Sequence, residues 1–462
     1  FTVTHKPEKL TLEQWDDLYA ELSANGLTEP SYGGPISRHI QDGDYRLSKL
    51  LFDNSKASLN LWNFLLTEEA RLEQARDKGQ KLVGTMKDLG TIPVMAYAFS
   101  NITAFYPDGA WWIPCIMELS AGLLEVADSM GIDESFCPVR AMLGAFATEA
   151  HFPLPDLLVC STGATCDDFS AIAQRLNGMG HPILWWEIPH RRDPDKNEES
   201  VLLPGGFTAP RQQVDFVASQ MEMIRSELEQ LAGSKLTTED LSDCIKKTNL
   251  FRNKLSELRE LAFTAEICPM PALELLIAEM ISIHFCSDQD EAIKVIDGLL
   301  EEIRQRVKNN TGYFDAEAAR IFWVNPVADL QAMNILEQCG GRICGTEYLF
   351  SHGIDPIPED IAPMEALAHM ALADPMIGTA ENRANRICKD IKAFGAEGVI
   401  ISRIPGASHC ALESGPIIDI VTSEMGIPAL ELEVPPVSDS MRASLKTRIE
   451  SLIETVKRNR YK

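Results

Sequence analysis

The hydrophobic rhythm of the chain changes three times. Over residues 1–90 apolar positions recur every three or four residues in a polar background. Examples are Leu12-Glu13-Gln14-Trp15-Asp16-Asp17-Leu18-Tyr19 and Ala70-Arg71-Leu72-Glu73-Gln74-Ala75. That spacing predicts amphipathic helices, so residues 1–90 are expected to be a helical N-terminal extension packed on the core or on a partner. From Ile92 short apolar runs alternate with helical patterns. Pro93-Val94-Met95-Ala96-Tyr97-Ala98-Phe99, Asp156-Leu157-Leu158-Val159-Cys160 and Pro182-Ile183-Leu184-Trp185-Trp186-Glu187 read as strands. Phe169-Ser170-Ala171-Ile172-Ala173-Gln174-Arg175-Leu176, stopped by Gly178 and Gly180, reads as the helix between the last two. This is a βαβ unit, which favours a parallel sheet.

Long charged amphipathic stretches follow, clearest over 216–231 and 241–261, and predict a helical segment over 208–315. A second α/β region begins near Arg320. Its expected strands are Ile321-Phe322-Trp323-Val324, Arg342-Ile343-Cys344, Val399-Ile400-Ile401 and Ala429-Leu430-Glu431-Leu432, with helices over 364–372 and 383–394 between them. The fold class is therefore α/β, with two related α/β domains, 91–207 and 316–462, built on parallel sheets and flanking the helical segment.

Composition narrows the functional classes. A chain of 462 residues is long enough for two or three domains. The net charge of −26 opposes sequence-independent binding to phosphate backbones, so nucleic acid is not an expected partner. An anionic substrate would need a local basic patch. No apolar run approaches the roughly 20 residues of a membrane span, so no membrane is expected. The opening residues are polar and charged, so no signal peptide is expected. Eleven cysteines without one point to free thiols in a reducing, cytoplasmic setting.

Three of those cysteines stand in loops or just after expected strands. They are Cys137 in Phe136-Cys137-Pro138-Val139-Arg140, Cys166 in Gly163-Ala164-Thr165-Cys166-Asp167-Asp168, and Cys410 in Ser408-His409-Cys410-Ala411-Leu412-Glu413. Loops at the carboxyl ends of parallel strands are where open α/β sheets bind ligands. On spacing alone the three read as ordinary reduced cysteines, because no compact ferredoxin or zinc spacing occurs. Three thiolates converging from separate loops can nevertheless hold a [4Fe–4S] cluster and leave one iron open. Cys160, at the end of a strand, and Cys115 are the competitors; the remaining cysteines read as small core residues.

The neighbouring words add to this. Pro155-Asp156-Leu157-Leu158-Val159 leads to Cys166, and Gly398-Val399-Ile400-Ile401 leads towards Cys410. Gly426-Ile427-Pro428-Ala429-Leu430-Glu431-Leu432-Glu433 and Lys446-Thr447-Arg448-Ile449-Glu450 follow. In this order the series resembles the 2-hydroxyacyl-CoA dehydratase / benzoyl-CoA reductase superfamily, over roughly residues 90–460. The sequence around Cys166, followed by Trp185-Trp186-Glu187-Ile188-Pro189, is most similar to the larger cluster-binding subunits of ATP-dependent benzoyl-CoA reductases.

The resemblance implies a fold of two α/β domains and an acyl-CoA substrate. It also implies a [4Fe–4S] cluster on Cys137, Cys166 and Cys410, a homologous smaller cluster-binding subunit, and an ATP-hydrolysing electron activator. Its members deliver one low-potential electron to a thioester or an aromatic ring, as dearomatising reductases or as (R)-2-hydroxyacyl-CoA dehydratases. Relatives of the double-cubane type are non-CoA electron-transfer proteins and tend to carry adjacent cysteine pairs; this chain has no Cys-Cys dipeptide. It also has no phosphate-binding loop and no dinucleotide fingerprint, so nucleotide hydrolysis belongs to a separate protein.

Around the cysteines several side chains invite roles. His409 is a candidate proton donor. Asp167 and Asp168 either cap the following helix or orient such a donor. His151, His190 and Glu149 are further candidates. Arg140, just past Cys137, either offsets cluster charge, touches the acyl-CoA or forms a surface salt bridge. His190-Arg191-Arg192 is the basic cluster nearest the first domain; Arg191 and Arg192 are candidates for the CoA phosphates, with Arg383 and Arg386 as a second, helical pair.

Overall fold

A computed structural model describes residues 6–27, 47–86, 90–109, 120–282, 287–348, 351–407, 412–434 and 439–460. The architecture is α/β, as expected. Two short antiparallel pairs, β1 (Lys9–Leu10) with β2 (Phe52–Asp53) and β7 (Ser200–Leu202) with β8 (Thr208–Pro210), accompany two larger sheets. The first consists of β3 (Lys81–Met86), β4 (Ile102–Phe105), β5 (Leu157–Gly163) and β6 (Ile183–Ile188) in the order β4-β3-β5-β6, all parallel. The second consists of β9 (Ala319–Val324), β10 (Gly341–Glu347), β11 (Gly398–Arg403) and β12 (Ala429–Glu433) in the order β10-β9-β11-β12, again all parallel.

Counted within each sheet, both orders are 2-1-3-4. The two halves share one topology. In each, the chain reverses its direction of winding between the first strand and the third, and the crevice at their carboxyl ends is where such sheets bind ligands. Cys166 follows the third strand of the first sheet, and residue 410 follows the third strand of the second.

Residue alternation explains the layering. Leu82 and Leu158 belong to one buried core, while their neighbours Val83 and Val159 point to the other face and pack in a second core. Ile321 and Trp323 divide from Phe322 and Val324 in the same way. Successive side chains of a strand face opposite sides, so each sheet is covered by helices on both. Four helices, Arg211–Ala232, Thr238–Thr264, Ala272–Met280 and Gln289–Asn309, form the expected helical segment.

Two local readings are corrected. The run from Pro93 to Phe99 is not a strand; Ile92–Tyr97 is a short helix with Pro near its first position, where the missing N–H costs nothing. The strands on either side of it, β3 and β4, are the ones that build the sheet. β3 lies on the amino-terminal side of residue 91 and is a central strand. Before it the chain is mainly helical, with helices Leu12–Ala24, Lys56–Leu66 and Glu68–Asp77. Thr11 and Gln14 start the first of these with a reciprocal capping box.

Candidate functional site

The turn that presents Cys166 is built from the end of β5. Gly163 has φ 99°, and a Cβ there would lie 2.3 Å from the Ile188 carbonyl oxygen. Ala164 donates its N–H to that oxygen at 2.9 Å. Thr165 is buried, with its hydroxyl 3.2 Å from that of Ser161. Cys166 is half-buried and is the N-cap of the Asp167–Gly178 helix. The Cys166 thiol lies 3.7 Å from the carboxylate of buried Asp168, to which it donates, whereas Asp167 is exposed.

Cys137 is built similarly. An Asx turn, with the Ser135 N–H donating to Asp133 Oδ1 at 3.0 Å, leads into it. Cys137 then caps the 3-10 turn Pro138–Arg140, whose Arg140 N–H donates to the Cys137 carbonyl at 3.0 Å. Cys137 is 7% exposed. The turn that it caps packs against the helix that Cys166 caps. Arg140 is buried. Its guanidinium donates to Asp128 at 3.2 Å and to the Phe136 carbonyl at 3.3 Å, so it braces the Cys137 turn from within.

The third loop arrives from the other half of the molecule. After β11 the chain runs to Gly406, which has φ 80°; a Cβ there would lie 2.5 Å from the Phe136 carbonyl and 2.9 Å from the Cys137 N. Only a glycine allows this approach. Cys410 and His409 lie outside the described residues. Residue 410 is four residues beyond Gly406 in the sequence. Among the described residues, no three His, Cys, Asp or Glu side chains converge on a metal position.

The competing thiols are placed differently. Cys160 is fully buried in β5, donates to the Ser161 carbonyl at 3.5 Å, and has its thiol pushed up to about 12 by burial and then by the nearby Cys166. Cys344 is also fully buried, and burial pushes it to about 12. Cys244, Cys268 and Cys388 are buried as well. Cys115 lies outside the described residues.

The basic candidates separate. Arg192 is the exposed member of its pair, with its guanidinium on the Glu198 carboxylate. Arg191 is 2% exposed. It donates to the carbonyls of Leu372 and Asp374 at 2.7 and 2.9 Å, and stacks 4.0 Å above the Phe207 ring. Arg191 is thus turned inwards, and Arg192 is the member of the pair that faces solvent. Arg383 is likewise enclosed, and Arg386 is paired with Asp355 at 2.7 Å. His190 is exposed; burial pulls the His151 imidazole down to about 4. Glu149 is an exposed left-handed cap at φ 53°.

Away from the cysteines, a polar cleft of about 320 Å³ runs beside edge strand β4, between Arg71, Lys78, Thr103, Lys247 and Asp290. It contains none of the candidate site residues. No helix among the described residues is long and apolar enough to cross a membrane.

None of the curated proteins matches the chain. Residues 96–456 match the family described as 2-hydroxyglutaryl-CoA dehydratase, D-component, a span that takes in the second sheet, the first sheet except β3, and the positions of Cys137, Cys166 and Cys410. The chain belongs to that family of acyl-CoA dehydratase components.

Proposed function

We propose that this protein is the iron–sulfur subunit of an ATP-driven, low-potential radical acyl-CoA enzyme, acting as a dearomatising reductase on an aromatic acyl-CoA of the benzoyl-CoA kind. The observation that carries the reading is the approach of three loops. Cys137 and Cys166 cap helical segments packed on one another, and Gly406 brings the chain that leads to Cys410 against the main chain of Cys137. Soft thiolates at helix N-termini suit an iron–sulfur cluster in both charge and donor type.

In this reading Cys137, Cys166 and Cys410 hold a [4Fe–4S] cluster. When bound, it supplies single-electron transfer and, at an iron lacking a protein ligand, a Lewis acid for a thioester oxygen. The chain's own residues do the rest. Arg140 holds the Cys137 turn in shape from beneath. Asp167, exposed beside Cys166, and His409 hold or deliver a proton at the substrate. Arg192, exposed beyond β6, meets CoA phosphates by exchanging its Glu198 partner for them. A homologous smaller subunit and an ATP-hydrolysing activator complete the path of the electron.

The second reading is (R)-2-hydroxyacyl-CoA dehydration, and the family description favours it. Both reactions need the same open cluster, so the residues of this chain serve either.

Two measurements test the proposal. Anaerobic iron and sulfide analysis of Cys137→Ser, Cys166→Ser and Cys410→Ser is expected to find strong depletion in each; full iron in all three overturns the ligand set. Turnover of benzoyl-CoA against a 2-hydroxyacyl-CoA, with the subunit partner and activator present, then decides between reductase and dehydratase.

A further inference from the structure

The chain of the second sheet does not stay with the second sheet. Between Glu347, at the end of β10, and Gly398, at the start of β11, it crosses to the first half and returns. On the way it forms the Pro363–Leu372 helix, whose Ala366, Leu367 and Met370 pack, with Ile357 and Ile377, in one core with Val83, Val159 and Trp186 of the first sheet. Among the described residues, no strand of the second sheet contributes to that core. After Gly378 the Ala380–Phe394 helix rejoins Phe322 and Val324 of the second sheet through Ala384, Ile387 and Ile391. The crossing is bound by its main chain. Asn249 Nδ2 donates to the Ile357 carbonyl at 2.8 Å, and the Ile357 N–H donates back to Asn249 Oδ1 at 2.8 Å. Arg252, 1% exposed, donates through Nη1 to the Asp355 carbonyl and through Nη2 to the Gly90 carbonyl, both at 2.8 Å. Arg191 holds the Leu372 and Asp374 carbonyls through Nη1, and its own N–H donates to the Ile377 carbonyl at 2.7 Å. A Cβ on Gly378 would lie 2.2 Å from Arg191 Nη2.

We infer that residues 355–377 are a clasp: a piece of the second half built into the first, which holds the carboxyl ends of the two sheets at a fixed spacing. The anchor points lie beyond those ends. Gly90 is four residues past β3, Arg191 three past β6 and Asp355 eight past β10. Arg252 joins the first and last of them through one guanidinium. From the other side Arg386, on the helix that returns to the second sheet, pairs with Asp355 at 2.7 Å. Domains joined only by linkers move relative to one another by default. Here such a movement would pull a buried helix face out of a core. It would also leave the buried donors of Arg191, Arg252 and Asn249 without acceptors, and stranding a buried donor is the costly way to break a hydrogen bond. Gly406, three residues past β11, meets Phe136 beyond the same ends of the strands, so the width of that approach is set by the fold before any ligand arrives.

The test uses the metal-free full chain and needs no ligand. Amide exchange is followed over residues 366–377 and over β3, β5 and β9, and small-angle scattering gives the radius of gyration. In the wild type the clasp is expected to exchange within a factor of ten of β5. Exchange more than tenfold faster than β5 overturns the clasp, because the segment is then open in solution. Asn249→Ala combined with Arg191→Ala removes main-chain ties at both ends of the crossing. This variant is expected to exchange at least fivefold faster over 366–377, to keep wild-type rates in β3, β5 and β9, and to have a larger radius of gyration. Faster exchange with a wild-type radius overturns the spacing role, and wild-type exchange overturns the ties. Equal acceleration in all four segments means general destabilisation and also overturns the clasp. If the double variant does not melt cooperatively, Asn249→Ala decides alone on the same criteria.

Discussion

Gly163 touches Ile188 backbone to backbone: the missing side chain of the glycine leaves room for a carbonyl oxygen that a Cβ would meet at 2.3 Å. The contact closes β5 onto β6 and fixes the turn three residues before Cys166. Gly163→Ala must both adopt φ 99° with a side chain and push that oxygen aside. It is expected to lower stability by about 2–3 kcal/mol and to reduce iron incorporation more than its fall in stability explains. Urea unfolding paired with iron analysis checks this; wild-type iron content would remove the turn from the account.

Arg191 and Arg192 are adjacent in sequence but should behave differently. Arg191→Ala leaves the Leu372 and Asp374 carbonyls without their buried donor, and is expected to cost about 3 kcal/mol in denaturant unfolding. Arg192→Ala breaks an exposed pair and should change stability by less than about 1 kcal/mol. On the proposed function it weakens acyl-CoA binding without changing iron content, which isothermal titration with a CoA thioester measures.

Glu68 makes stability depend on pH. It is buried at the start of the Glu68–Asp77 helix, and burial pushes its carboxyl up to about 8 against the pull of Arg71, with Asp108 adding to the rise. An acid whose folded value is raised contributes stability that is fully present below its unfolded value of 4.5 and lost as pH rises through 8. The wild type should therefore lose stability relative to Glu68→Gln across that window, by up to about 1.4 kcal/mol per pH unit. Urea midpoints at about pH 5 and about pH 8.5 decide it; parallel changes in both proteins contradict the assignment.

Asp53 anchors the amino-terminal strand pair. Arg306 Nη2 donates to its two oxygens at 3.1 and 3.2 Å, and the Ser55 and Ser58 hydroxyls donate at 2.8 and 2.7 Å, with the Tyr313 hydroxyl on the same carboxylate. Asp53→Ala leaves Arg306 buried with Glu302 as its remaining carboxylate. A loss of about 3–5 kcal/mol is expected from chemical denaturation. A change below about 1 kcal/mol would mean the pair is dispensable.

Much of this was legible in the sequence where hydrophobic pattern and local chemistry agree. β5, the helix after it and β6 follow from an apolar run, a helical repeat and two glycines, and the four strands of the second sheet were each visible. β3 was not. Lys81-Leu82-Val83-Gly84-Thr85-Met86 is buried on both faces after its first residue, so it carries no alternation, and Gly84 reads as a breaker. In fact Gly84 admits Leu158, whose Cδ2 would lie 2.7 Å from a Cβ there. The helix at Ile92–Tyr97 was misread for the same reason: an entirely apolar run has no period to distinguish helix from strand. At the site, Pro405-Gly406 signalled a sharp turn, but its partner Phe136 is 270 positions away and no local pattern points to it. Nor can sequence say which of two neighbouring arginines faces inwards; that is decided by the helix end that receives it.

The Asp53–Arg306 anchor also sets an order of events at the ribosome. Its partners are separated by 253 positions, and Lys9 and Glu337, which pair nearby, by 328. At typical elongation rates Asp53 is made about 13–50 s before Arg306 exists to receive its charge. Through that interval the segment around Asp53 must wait with its acidic groups in water and its apolar helices partly uncovered. It closes onto the body only when the second half arrives, so a segment made early is among the last to find its place.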